Sequence, residues 1–241
     1  MVEHVDENWQ RGLAIVAHPD DMEFGAAAAV ARWTGQGKEI VYALVTSGEA
    51  GIDGMDPAEA GPLREQEQRA SAEIVGVSQV EFLGLPDGVL EYGVPLRREF
   101  SRLIRRHRPD VVITNNFRDS WDPEGTALNM ADHINTGRAV LDAARDAGNR
   151  WVFREQLDEG LDRWGGVKQV WTSGSPRAGH AADISATFDT GLRSLEAHAA
   201  YLMGLEGFDP AEFLESAARQ SGTNLGVKYA TRFEVFRLGL F

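Results

Sequence analysis

Four short strand-like runs, spaced so that each successive pair brackets a segment of helical length, constrain this chain more than any other feature in it. They are Leu13-Ala14-Ile15-Val16-Ala17, the stretch from Glu39 to Thr46, Gln79 to Leu83, and Val111 to Thr114. The first run, apolar throughout and without alternation, suits a strand covered on both faces, the condition found in parallel sheets. The segments between them, Met22 to Trp33, Leu63 to Val75 and Val94 to Arg106, read as helices, with Gly35-Gln36-Gly37 and Pro109 as stop signals. Four strands alternating with three helices predict an α/β fold, a doubly wound, mostly parallel sheet with helices on both faces. At 241 residues this is one domain spanning 1–241, with residues 1–11 as a flexible lead.

Composition narrows the chemistry. The chain has no Cys, so any metal must rest on His nitrogen and carboxylate oxygen. A formal charge of −13 disfavours nucleic acid and anionic membranes as partners. The charged start Met-Val-Glu-His-Val-Asp lacks a signal-peptide core, and no apolar run approaches the ~18 residues of a membrane span, so a cytoplasmic protein acting on a small molecule is expected. Homo-oligomerisation is left open.

The first apolar run ends at His18-Pro19-Asp20-Asp21. Pro19 cannot continue a strand ladder, so this turn falls at the carboxyl edge of the sheet, where open α/β folds bind their ligands. A helix beginning near Ala131 follows the fourth strand and its polar loop, which brings His133 to the same edge. Two imidazoles and one carboxylate leave a coordination position open, the pattern of a catalytic Zn²⁺ site. His18, Asp21 and His133 are therefore the expected ligands, and Asp20 the expected general base. Fe²⁺ would accept the same donors. Taken singly each residue has a plainer role: a strand-end His is commonly just a satisfied polar group, and an Asp after Pro commonly caps a helix. An Mg²⁺-dependent phosphotransfer site on Asp20 and Asp21 fits poorly, because no Gly-x-x-x-x-Gly-Lys-Ser/Thr loop is present.

The rest of the chain is less sharply patterned. Ser47 to Pro62, with four Gly and two Pro, reads as a long loop at the ligand edge. Val167 to Thr172, Ala182 to Ser185 and Lys228 to Phe236 read as strands, Thr190 to Met203 as an amphipathic helix, and Gly204 to Pro210 as a surface loop.

The run Ala17-His18-Pro19-Asp20-Asp21-Met22-Glu23, followed by a Gly25 and Ala-rich helix, resembles the signature of the zinc-dependent PIG-L/LmbE-like deacetylases. The likeness continues through Thr46-Ser47-Gly48-Glu49, Arg64-x-x-Glu67, the segment Phe82 to Gly88, Arg108-Pro109-Asp110-Val111-Val112, Asp132-His133 and Asp183-Ile184-Ser185. The resemblance implies a Rossmann-like fold and hydrolysis of an N-acyl group, typically acetyl from an N-acetylglucosamine conjugate, or of a related amide. It implies zinc on His18, Asp21 and His133, Asp20 as base, and Arg64 facing the polar substrate. One position departs: where relatives read His-Pro-Asp-His, this chain has Met130-Ala131-Asp132-His133. A thioether cannot donate the hydrogen bond that stabilises the oxyanion. His180 is the expected replacement, with Asn129 as a second polar group at the substrate. The competing reading is a metal-retaining sugar-binding homologue without turnover.

Overall fold

The computed structural model describes residues 2–205 and 207–238. In chain order the strands are β1 (Glu3–His4), β2 (Arg11–Val16), β3 (Glu39–Leu44), β4 (Gln79–Phe82), β5 (Val111–Thr114), β6 (Gln169–Ser173), β7 (His180–Asp183) and β8 (Ala230–Arg237). The helices are α1 (Asp21–Gly25), α2 (Ala27–Gly35), α3 (Pro57–Ile74), α4 (Val94–His107), α5 (Ala131–Asp146), α6 (Glu155–Asp158), α7 (Phe188–Glu196), α8 (Ala199–Met203) and α9 (Pro210–Leu225). None of the described helices is long and apolar enough to cross a membrane.

All eight strands form one sheet in the order β1-β7-β8-β6-β5-β2-β3-β4, parallel except where β8 runs against β6 and β7. The chain winds outward from β2 in both directions, to β3 and β4 on one side and to β5 and β6 on the other. The strand order therefore reverses between β2 and β5, and the crevice at their carboxyl ends is the topological switch point.

The unbroken apolar run of β2 follows from burial on both sides. Ala14 and Val16 pack beneath α2, α3 and α7, in a cluster that includes Tyr42, Trp171 and Phe233. Leu13, Ile15 and Ala17 pack against α4 and α5 with Val112 and Val170. Every one of these five β2-region side chains is at most 1% exposed.

Several boundaries differ from the sequence reading, each for a local reason. The helix expected over 22–33 breaks at Ala26, where the backbone leaves the helical region at φ −146° and ψ 0°. The loop expected to run to Pro62 is shorter, because Asp56 accepts a hydrogen bond from the Ala58 N–H and Pro57 occupies the first helical position, starting α3 early. The helix expected over 190–203 divides at Ala197–His198 into α7 and α8. Helix α9 starts in the same manner as α3, with Asp209 accepting from the Ala211 and Glu212 N–H groups ahead of Pro210.

The flexible lead expected over 1–11 is corrected for residues 2–11. Glu3–His4 pairs in parallel with β7, and Val5 and Trp9 are buried. Trp9 packs edge-on against Trp33 and Trp171 at centroid distances of 5.4 and 5.9 Å. Glu7 binds Arg32, Trp33 and Gln36, and Lys38 reaches back to the carbonyls of Glu7 and Trp9. A short polar lead carries this anchorage on one tryptophan and one glutamate, which is why periodicity did not reveal it.

Candidate metal centre and active-site cavity

The turn that leaves β2 delivers three polar side chains within four residues. His18 and Asp21 are tied locally, the Asp21 Oδ2 accepting from the His18 N–H at 2.8 Å. His133 comes from the first turn of α5 and lies edge-on to Trp121. Their donor atoms converge: His18 Nδ1 is 3.2 Å from His133 Nε2, His133 Nε2 is 2.9 Å from Asp21 Oδ1, and His18 Nδ1 is 3.7 Å from Asp21 Oδ2. A tetrahedral ion with ligand bonds of ~2.0–2.1 Å imposes an N···N separation of about 3.3 Å. Two imidazole nitrogens and a carboxylate, all nearly buried and facing one point, fit a divalent cation on the geometry of this chain alone.

The far side of His18 explains how it is held. Its Nε2 lies 3.1 Å from Asp87 Oδ1 and 3.3 Å from Asp132 Oδ2. Asp132 is itself fixed by the Gly88 and Leu90 N–H groups, and Asp87 accepts from the Ala50 N–H. Carboxylates behind a ligating histidine fix its tautomer and raise its basicity. Burial pushes the His18 pKa down, but hydrogen bonds to Asp132, Asp21 and Asp87 outweigh it and hold the ring well above its usual range. Burial likewise pushes the Asp21 carboxyl up, yet His133 and His18 hold it well below the usual carboxylate range.

Asp20 occupies the N-cap position of α1 but makes no capping bond, so the common role of an Asp after Pro is not the one it has here. Its φ of 85° puts a non-glycine residue in the left-handed region, a strained conformation that persists only when the surroundings enforce it. They do: the Asp20 N–H donates to Gln68 Oε1 at 2.9 Å, and Arg64 Nη2 donates to Asp20 Oδ2 at 2.7 Å. Burial raises the Asp20 carboxyl to about 7, against the pull of the Arg64 charge. A general base works best near the operating pH, so this is the appropriate range.

Arg64, expected to face the substrate, lines the cavity while its guanidinium is engaged by protein partners. It is 2% exposed, and besides Asp20 it donates to the carbonyls of Pro19 and Gly48. Side chains at Gly48 and Gly51 would overlap its guanidinium, which accounts for both glycines in the loop after β3. Arg64 therefore positions Asp20. Three residues along α3, Glu67 accepts from the Ala200 N–H at the start of α8, and α8 carries Tyr201, whose ring lies 4.4 Å from the Arg64 guanidinium.

Two further expectations are corrected. His180 opens β7, between β1 and β8, so it lies at the amino end of its strand and away from the carboxyl edge; its Nε2 is 3.7 Å from Glu3 Oε2, and it does not line the cavity around the metal ligands. Asn129 is 5% exposed and holds its own loop, donating to the carbonyls of Asn116 and Arg118 and accepting from the Met130 N–H. Met130 lines the cavity and is 53% exposed.

The groups that sequence reasoning missed are Asn115, Tyr201 and the buried residues behind Asp20. Asn115 follows β5 directly, so it lies beside the end of β2. Its Oδ1 accepts from the Ala17 N–H at 2.8 Å, which fixes the amide, while its Nδ2 has no partner among the described residues and the residue lines the cavity. Its place at the end of the strand adjacent to β2 was the available signal. Tyr201 also lines the cavity, and burial together with Asp20 pushes its phenol up to about 12, so it stays a donor. Behind Asp20, Gln68 and Ser71 donate to Glu23, and the fully buried His198 lies 3.6 Å from the same carboxylate.

The sheet and this site define a doubly wound α/β protein that gathers two histidines and a carboxylate, a candidate metal centre, at its switch point. The chain belongs to the PIG-L family, described as GlcNAc-PI de-N-acetylase, which matches residues 13–144. It is 32% identical over 189 residues to the diacetylchitobiose deacetylase of Thermococcus kodakarensis, covering 77% of this chain and 68% of that one. It is 25% identical over 235 residues to the 1D-myo-inositol 2-acetamido-2-deoxy-alpha-D-glucopyranoside deacetylase of Corynebacterium glutamicum, covering 84% and 78%. The fold is similar to that of N,N'-diacetylchitobiose deacetylase from Pyrococcus horikoshii, with a TM-score of 0.85, 22% identity, and coverage of 96% of this chain and 85% of that one.

Proposed function

We propose that this protein is a metal-dependent N-deacylase that removes an acyl group, acetyl in the simplest case, from an amino sugar such as an N-acetylglucosamine conjugate. The observation that carries the reading is the convergence of His18 Nδ1, His133 Nε2 and Asp21 on one point, with Asp20 beside them and engaged by Arg64. The names of the relatives, deacetylases of acetylated amino sugars, support the substrate class.

His18, Asp21 and His133 would hold Zn²⁺, or Fe²⁺ in its place, and the bound ion supplies Lewis-acid polarisation of the substrate carbonyl and acidification of water. Asp20 takes a proton from the attacking water as the new C–O bond forms at the amide carbon. The Nδ2 of Asn115, held in place by the Ala17 N–H, donates to the carbonyl oxygen as negative charge builds there. When the C–N bond breaks, Asp20 returns its proton to the nitrogen, releasing a carboxylic acid and an amine, which part as carboxylate and ammonium once the acid's proton is lost to the amine. Arg64 keeps Asp20 oriented throughout and Asp87 and Asp132 keep His18 oriented.

With Asn115 in that role, Met130 would not leave the carbonyl oxygen without a donor, which supports turnover over a binding-only protein. The test is metal analysis of the purified protein followed by a screen for carboxylate release from N-acylated sugars. A bound divalent ion with release of acetate from at least one N-acetyl sugar is the expected result. Metal without release from any would overturn the reading.

A further inference from the structure

The inward face of α3 is polar where a core helix is normally apolar. Arg64, Glu67, Gln68 and Ser71 recur at helical spacing, and all four are buried. Buried polar groups are costly unless they are paired, so a stripe of them serves a purpose other than packing. One side of the stripe holds the base. Arg64 Nη2 donates to the Asp20 carboxylate, and Gln68 Oε1 accepts from the Asp20 N–H of a residue held at φ 85°.

The other side of the stripe meets α1 and α7. Gln68 Nε2 donates to Glu23 Oε1 at 3.0 Å, and Ser71 Oγ donates to the same oxygen at 2.6 Å. Glu23 is buried, and its Oε2 has no hydrogen-bond partner among the described residues. The group nearest that oxygen is His198 Nε2, at an ion-pair distance of 3.6 Å. The His198 ring is fully buried, neither of its nitrogens has a hydrogen-bond partner among the described residues, and it does not line the cavity. A close helix contact brings it there. A Cβ at Gly191 would come within 2.8 Å of the Ala28 backbone, and this approach seats α7 so that Ser194 Oγ lies 2.7 Å from Ser71 Oγ, with His198 just past the end of the helix. Burial pushes the His198 pKa down, but the Glu23 carboxylate, with Asp20 and Glu67 beyond it, outweighs that and raises it.

A glutamine amide has one donor end and one acceptor end. A carboxylate that fixes the Nε2 of Gln68 therefore decides that the oxygen is what meets the Asp20 N–H. We infer that His198 is a positioning residue for Asp20: by holding the Glu23 carboxylate it sets the orientation of the Gln68 amide, which in turn holds the backbone of the base. The inference rests on the deacylase reading and adds to it a residue outside the cavity.

The test is His198→Phe, which keeps a planar ring and removes both nitrogens, studied in the Zn²⁺-loaded protein. Amide hydrogen exchange followed by NMR reads the Asp20 N–H directly and needs no turnover. Exchange there should accelerate by about tenfold or more, while the amides of Leu13 to Val16 in β2 keep their protection. On an N-acetyl sugar that the parent hydrolyses, kcat should fall by roughly 10–10²-fold at unchanged KM and unchanged zinc content. His198→Gln, which keeps a donor near the Nε2 position, should recover part of both losses. In an Asp20→Asn background His198→Phe should leave the residual rate unchanged, because the residue acts through the base. Where His198→Phe misfolds, Glu23→Gln interrupts the same chain of contacts at constant volume and carries the same expectations. Faster exchange at Asp20 in a protein that hydrolyses no N-acetyl sugar would keep the positioning role and sink the deacylase reading. Unchanged exchange at Asp20, an unchanged kcat, exchange that rises equally throughout β2, or a further loss of rate in the Asp20→Asn background would overturn the inference.

Discussion

Replacing Arg64 by Met tests whether that residue positions the base or meets the substrate. Met keeps the apolar stem and removes a guanidinium that donates to Asp20 Oδ2, the Pro19 carbonyl and the Gly48 carbonyl at 2.7, 2.7 and 2.8 Å. Asp20 is 6% exposed, so water does not replace the lost partner. Breaking a buried ion pair from one side costs about 3–5 kcal/mol, and two carbonyls left without donors add to the same side of the balance. Asp20 has one escape, which is to bind a proton. Its carboxyl is already raised to about 7 by burial, with the Arg64 charge as the largest force pulling it down. Each further unit costs about 1.4 kcal/mol of the ionised form and removes base tenfold. Arg64→Met should therefore lower stability in urea by about 3–5 kcal/mol at unchanged m-value, and should move the acid limb of the kcat/KM profile upward by about one unit or more. A substrate-contacting arginine would behave differently, raising KM with the acid limb and the stability unmoved. A variant within about 1 kcal/mol of the parent whose acid limb has not shifted would refute the positioning argument.

His133→Ala should strip the divalent ion, as read by metal analysis after desalting, because it removes one of three converging donors; unchanged occupancy would show that His133 is not a ligand. Asp20→Asn should retain the ion and lose turnover, and near-normal rates on the true substrate would reject Asp20 as base. Asn115→Ala should lower kcat by about 10²–10³, the loss expected for a missing oxyanion donor, while His180→Ala should leave kcat in place; the reverse pattern would return the role to His180. For the lead, burial raises the Glu7 carboxyl but hydrogen bonds from Arg32, Trp33 and Gln36 outweigh it and hold it at about 2 against an unfolded value of 4.5. A folded pKa below the unfolded one gives stability that is complete above about pH 4.5 and fades as the pH falls toward 2. Urea midpoints of the parent should thus decline more steeply than those of Glu7→Gln across that window, and parallel curves would show that Glu7 does not anchor the lead.

The central strands β2 and β5 were legible because they are buried on both faces. Val111–Thr114 matched at both ends, and Glu39 and Gln79 began their strands where the strand-like runs began. Legibility fell where one residue type carried the structure. Asp56-Pro57 and Asp209-Pro210 start helices through a cap and a preset φ, signals only two residues wide. The break at Ala26 follows Gly25, a single glycine that an Ala-rich segment could carry through a helix. It occurs where α1 passes Ser173, a contact between residues about 150 positions apart that no local window contains.

The site divides along the same line. His18, Asp20, Asp21 and His133 could be brought together from the sequence because each immediately follows a strand or opens the helix after one, so topology alone delivers them to the switch point. Arg64, His180 and Asn129 were assigned by motif position, and what decided their roles was which partner lay nearest: a buried carboxylate for Arg64, a strand-edge glutamate for His180, loop carbonyls for Asn129. Met130 bears on the same point from the other direction. A donor missing from the loop before α5 suggests a damaged site only if the donor must come from that loop. Asn115 sits at the end of β5, fixed by a backbone N–H one residue before His18, and offers a free amide N–H from a more rigid element. A preorganised donor on a strand end loses less to reorganisation than one on a loop, so the substitution at Met130 is compatible with full electrostatic stabilisation of the reacting carbonyl.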